Sequence, residues 1–198
     1  MKSISALDAG TLHKRPGLQG PIDDAFMDSF VMVSPTGMAW HEKTGDWYNR
    51  EMKHAQTHWR KQFRGVAHVT TDNKVTEEQI RHSHLILWGD PSSNAIIKRL
   101  LAQLPIQWTK DNIRVGSQTF DASESALVMI YPNPLNPSKY IVLNSGFTFR
   151  EYDYLNNARQ IPKLADWAVI DIKTPVNARL PGAIASEGFF DEHWALKK

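Results

Sequence analysis

The chain has 198 residues, 41% of them apolar and 22% charged, the composition of one globular domain with room for a sizeable core. Its formal net charge of +2 is too small to argue for a nucleic-acid partner. It has no cysteine, which excludes disulfides, a thiolate nucleophile and cysteine-based metal centres.

No run of the sequence reaches membrane-spanning length. Met1 to Asp8 lack the apolar core of a signal peptide, and the compartment stays open on these grounds. Residues 1–27 read as a linker or covering segment, because Pro16, Gly17, Gly20 and Pro21 are dense turn formers. Ile22 to Met27 have the makings of one helical turn. Residues 28–198 read as a single α/β domain.

Residues 30–33 form the first apolar run and end at Ser34-Pro35-Thr36-Gly37. A helix is expected over 46–63, with Tyr48, Met52, Ala55, Trp59 and Phe63 as its buried stripe. The basic group at Arg60, Lys61 and Arg64 falls at its end, where positive charge complements the helix dipole. Residues 66–70 read as a second strand, and Thr76-Glu77-Glu78 starts a short helix.

Leu85 to Trp88 is wholly apolar without alternation, the pattern of a strand buried on both faces. Gly89-Asp90-Pro91 breaks it, and Ser92, Ser93 and Asn94 are good caps for a helix over 95–104. Residues 106–115 read as a β-hairpin inserted into this pattern. Apolar strands are expected at 126–131, 140–143 and 167–172, a helix near 149–157, and a tail whose aromatics pack back on the domain.

Strands alternating with helices predict an α/β fold, flavodoxin-like or Rossmann-like, with a mostly parallel sheet flanked by helices. In such a sheet the strand ends at 34–37, 89–94, 132–137 and 144–146 would gather on one rim, where open α/β sheets place ligands. The candidate polar contacts there are Ser34, Thr36, Asp90, Ser92, Ser93, Asn94, Asn133, Asn144 and Ser145. Helix capping is the plainer use of Ser92, Ser93 and Asn94, with an anion at that helix N-terminus as the alternative.

No Gly-x-Ser-x-Gly frames a nucleophile, since Ser145 in Asn144-Ser145-Gly146 lacks the first and the last glycine. No phosphate loop is present either, and no cofactor is expected. His54 and His58 stand one helical turn apart, with Glu51 and Trp47 on the same stripe. The pair is a weak candidate for metal, because it lacks the rest of a zinc motif, and a solvated helix face is the plainer reading. Of seven tryptophans, Trp59, Trp88 and Trp167 fall in core positions, whereas Trp40, Trp47 and Trp194 are candidates to face a partner domain.

Several strings together carry a resemblance: Gly17-Leu18-Gln19-Gly20-Pro21-Ile22-Asp23-Asp24-Ala25-Phe26, Leu87-Trp88-Gly89-Asp90-Pro91-Ser92-Ser93-Asn94, and Tyr131-Pro132-Asn133-Pro134-Leu135-Asn136-Pro137. Val142-Leu143-Asn144-Ser145-Gly146-Phe147, Leu164-Ala165-Asp166-Trp167-Ala168-Val169 and Gly188-Phe189-Phe190-Asp191-Glu192-His193-Trp194 extend it. From about residue 10 onward the chain resembles the C-terminal region of large bacterial proteins of planctomycete type. Those proteins carry an upstream α/β-hydrolase domain of the prolyl-oligopeptidase or esterase type.

In that family the catalytic serine and its partners belong to the upstream domain, so no catalytic residue carries over to this chain. The resemblance implies an accessory domain or a fragment of a larger hydrolase. Its partner would be such a hydrolase domain or another copy of this chain, and its location periplasmic or extracellular.

Overall fold

A computed structural model describes residues 12–197. A 3-10 turn at Ile22–Phe26 leads to β1 (Phe30–Ser34), helix α1 (Glu42–Phe63), β2 (Val69–Thr71), α2 (Glu77–His82), β3 (His84–Leu87) and α3 (Ala95–Leu100). Three short strands follow, β4 (Gln107–Trp108), β5 (Asn112–Val115) and β6 (Gln118–Asp121). The chain then runs through β7 (Ser125–Asn133) and β8 (Asn136–Leu143), 3-10 segments at Glu151–Leu155 and Asn157–Arg159, β9 (Trp167–Asp171) and β10 (Ala183–Gly188).

The fold is α/β. Seven strands form one sheet in the order β10-β9-β7-β8-β3-β1-β2, and β4-β5-β6 form a small antiparallel sheet. The hairpin expected over 106–115 is the β4–β5 pair, to which β6 adds a third strand. β1 pairs in parallel with β2 and β3, and β3 with β8. β7 runs antiparallel to β8 and β9, and β10 antiparallel to β9. Five strands therefore point one way, while β7 and β10 oppose them.

The direction of β7 corrects the expected rim. Its end, residues 132–137, is a tight hairpin into β8, with Asn133 paired to Asn136. A parallel connection needs a dozen or more residues, which this turn does not have. The turn therefore lies at the sheet edge opposite the carboxyl ends of β1, β3 and β8. Asn136 there donates to the carbonyls of Ile80 and Arg81, the last turn of α2.

The expected helix over 149–157 is instead a pair of 3-10 segments, since these residues carry no apolar stripe to hold a longer helix. β10 was not anticipated, because it is an edge strand of half-exposed mixed residues.

The N-terminal segment packs into the core from residue 12 onward. Leu18, Ile22, Ala25 and Phe26 are buried, and Tyr140 of β8 donates to Asp24 and accepts from the Gly20 amide. In the tail, Phe190 and Trp194 pack on Tyr131, as expected of its aromatics. Trp47 and Trp194 are each 1% exposed, so neither faces a partner; Trp47 Nε1 donates to the Pro181 carbonyl at 2.7 Å. Trp40 is partly buried against the same core.

Candidate functional site

β1 lies between β2 and β3, so the sheet order reverses beside β1, and the crevice between the ends of β1 and β3 is the usual ligand position. In this chain the loops themselves fill it. The Gly37 amide donates to the Ser93 carbonyl at 2.9 Å, and a Cβ on Gly37 would stand 2.9 Å from the Ser92 carbonyl oxygen.

The rim side chains are mostly spent on their own backbone. Asp90 Oδ1 accepts from the amides of Ser92 and Ser93, and its Oδ2 accepts from the Trp40 amide at 2.8 Å. Ser93 Oγ accepts from the Asp90 amide. Asn94 caps α3, accepting from Ile96 and Ile97 and donating to the Trp88 carbonyl. The Ala95 amide donates to Asp72 Oδ2 at 2.7 Å, so a carboxylate of the protein stands where an anion at this helix would bind.

Ser34 Oγ donates to the Thr70 carbonyl, and Ser145 Oγ to the Gly146 carbonyl. Thr36 and Ser92 are exposed. Asn133 sits on the opposite edge, where its Oδ1 accepts from the Leu135 amide. The nine candidates therefore do not converge on one ligand cavity.

Asn144 has a positive φ of 53°, which asparagine tolerates better than most residues. Its side chain accepts from the Gly89 amide at 2.8 Å and donates to the Gly89 and Leu127 carbonyls at 2.9 and 3.1 Å. One buried amide thus ties the β3 loop, the end of β8 and β7 together. Gly146 follows, where a Cβ would meet the Ala55 Cβ of α1 at 2.5 Å. The loop can approach the helix this closely only without a side chain.

That approach brings the polar stripe of α1 against residues 148–154, and a buried polar cluster results. Arg150 Nη1 donates to Glu51 Oε2 at 2.7 Å, with both side chains at least 93% buried. His54 Nε2 meets Glu151 Oε1 at 2.8 Å. His58 is 3% exposed, and its Nδ1 pairs with the Tyr154 hydroxyl at 2.9 Å. Burial lowers its pKa to about 4, helped by the nearby His54, Arg150 and Lys61 and opposed by Glu151. Asp23 accepts from the amide and the hydroxyl of Thr148, and burial raises its carboxyl to about 6 against those two hydrogen bonds.

Trp47, Glu51 and His58, on the stripe expected to face solvent, are therefore buried alongside Tyr48, Met52 and Ala55 of the expected apolar stripe, whose last member, Phe63, is 42% exposed. His54 and His58 each have a partner of their own, and no group of three metal-ligating residues occurs among the described residues.

Glu51, His54, Ser145 and Arg150 line one cavity of about 20 Å3, together with Val128, Phe147 and Pro181. Glu51 Oε1 and Arg150 Nε are buried without a hydrogen bond, and Arg150 Nε stands 4.0 Å from Glu151 Oε2. Ser145 shares this wall with His54, but its hydroxyl is turned to the Gly146 carbonyl and the histidine to Glu151. The serine-to-histidine bond of a hydrolytic triad is not among the hydrogen bonds of the described residues. Sequence reasoning missed Arg150, Glu51 as a buried group, Asp23 and Tyr154. The one available signal was Glu51 standing between Trp47 and His54 on a single helix stripe.

The fold and this cluster define an α/β domain with a mixed sheet and a buried ion pair at the carboxyl end of β8. Comparison with protein-family models, curated proteins and solved structures yields no match.

Proposed function

We propose that the chain is a non-catalytic accessory domain of a secreted serine hydrolase of the prolyl-oligopeptidase or esterase type. It supports the catalytic domain or helps present substrate to it. The observation that carries this reading is the rim. Asp90, Ser93, Asn94 and Asn144 are buried and hydrogen-bonded into their own loops, which makes this end of the sheet a stiff platform. The resemblance of its sequence strings supplies the hydrolase.

A surface for a partner is available beside the platform. Tyr152, Leu155 and Ile161, on one segment after β8, are 43%, 73% and 54% exposed. Arg159 and Arg179 lie over the Tyr152 ring at 4.8 and 3.8 Å. Exposed apolar side chains rimmed by charge are a common mark of protein contact.

The test is to assay the purified chain on p-nitrophenyl acetate and on a proline-containing chromogenic peptide. The reading frame upstream of Met1 is then sequenced, and the chain is mixed with any α/β-hydrolase domain it encodes. The chain alone should show no turnover above background, and it should raise the thermal stability or kcat/KM of the hydrolase domain. Turnover by the chain alone, abolished by Ser145→Ala, would overturn the reading.

A further inference from the structure

Two arginines are stacked on one exposed ring. Arg179 Cζ stands 3.8 Å and Arg159 Cζ 4.8 Å from the centre of the Tyr152 ring. Backbone contacts fix all three residues. The Tyr152 amide donates to the Ala178 carbonyl at 2.9 Å, and Asn177 Oδ1 accepts from the amides of Arg179 and Leu180 in a tight turn. Arg159 closes the 3-10 segment Asn157–Arg159, and its amide donates to the Asn156 carbonyl.

Stacking uses the face of a guanidinium and leaves its N–H edge free to donate. Among the described residues no carboxylate pairs with either edge. The two acids of the same segment are engaged elsewhere, Glu151 with His54 and Asp153 with Lys163. Both positive charges lie over one ring, closer together than the Debye length of about 10 Å at 0.1 M salt, so a single anion feels both. Tyr152 and Leu155 are three apart in the 3-10 segment Glu151–Leu155, a spacing that puts both side chains on one face. Leu155 and Ile161 there are exposed apolar neighbours.

We propose that this face binds an acidic peptide segment of a partner protein. A glutamate or aspartate carboxylate sits against Arg159 and Arg179, and an adjacent apolar side chain covers Leu155. The arginines select the carboxylate, because a planar fork of donors matches it at two points. Leu155, 73% exposed, selects a peptide over a small anion, because covering it takes a second surface. The pinned turns lower the ordering cost of binding. The proposal rests on the reading of this face as a partner surface, and not on the partner being a hydrolase.

The test uses the full chain and fluorescence anisotropy with dye-labelled, amidated peptides: leucine–glutamate, its leucine–glutamine counterpart, and serine–glutamate. The leucine–glutamate peptide should saturate, and the other two should bind at least about fivefold more weakly. Arg159→Gln and Arg179→Gln should each weaken the leucine–glutamate peptide about tenfold with Tm unchanged. Lys74→Gln, which removes an exposed charge just beyond β2 at the other edge of the sheet, should leave it unchanged. Leu155→Ser should weaken the leucine–glutamate peptide and not the serine–glutamate one.

No saturation, equal binding of the glutamine counterpart, full affinity in both arginine variants, an equal loss in Lys74→Gln, or displacement of the peptide by an equal concentration of inorganic phosphate each overturns the proposal. Peptide binding by a chain that leaves a hydrolase domain unaffected supports this proposal and overturns the hydrolase reading. A chain that raises the kcat/KM of a hydrolase domain yet ignores the peptides does the reverse.

Discussion

Replacing Glu51 by leucine removes one member of a buried ion pair and leaves the other in place. The side chains of Glu51 and Arg150 are 6% and 7% exposed, and their contact is 2.7 Å. Breaking such a pair from one side costs about 3–5 kcal/mol, because the remaining charge stays desolvated. The nearest other carboxylate, Glu151, has an oxygen 4.0 Å from Arg150 Nε and is 43% exposed, so it offsets little. The expected loss is therefore about 3 kcal/mol or more.

For a chain of this size that lowers Tm by roughly 6–12 °C. The double variant Glu51→Leu with Arg150→Met removes both charges and should recover most of the loss, since apolar replacements of a whole buried pair are often neutral or stabilising. Urea unfolding followed by circular dichroism on the two single variants and the double variant measures the coupling. A single variant within about 1 kcal/mol of the parent, or a double variant no more stable than the singles, would refute the argument.

Three further expectations follow from the same region and its surroundings. Burial holds His58 and His84 at about 4, so the stability these neutral imidazoles contribute is full above their unfolded pKa of 6.5 and is lost as pH falls toward 4. Asp23, raised to about 6, works the other way and recovers part of the loss as it protonates. Two histidines outweigh one aspartate, so urea unfolding should show a net loss of about 2 kcal/mol between pH 7 and pH 5, and His58→Gln should flatten that slope.

Gly146→Ala should cost about 1–3 kcal/mol, because its Cβ would meet the Ala55 Cβ at 2.5 Å, and Ala55→Gly should restore part of it in thermal melts. Asn144→Ala should cost about 4 kcal/mol from three lost buried hydrogen bonds and a strained φ. Asn144→Gly should be about 1 kcal/mol milder, and equal losses would show that the positive φ is not strained.

Much of the local architecture was legible. The apolar run at 85–88, the breaker at 89–91 and the Asn94 cap predicted β3 to within one residue and the start of α3, whose expected last turn is a 3-10 segment at Leu101–Gln103, since each rests on backbone chemistry within a few residues. The tight turn at residues 134–135 also held a readable sign that β7 and β8 are antiparallel, but an apolar run alone does not encode strand direction. The candidate site was legible only in part. Polarity assigned Glu51 and His58 to a solvated face, yet both are at most 5% exposed. The segment that covers them, residues 147–163, has no periodicity by which to foresee its packing.

The sequence by itself determined most of the central strands, the helix starts at Thr76 and Asn94 and the α/β class, because hydrophobic period and capping act over a turn or a strand. Tertiary structure alone decided which way β7 runs, which polar face of α1 is buried, and that Arg150 meets Glu51 from 99 residues away. An ion pair across that separation depends on how distant surfaces pack, and neither partner's neighbours in the chain carry a trace of the other.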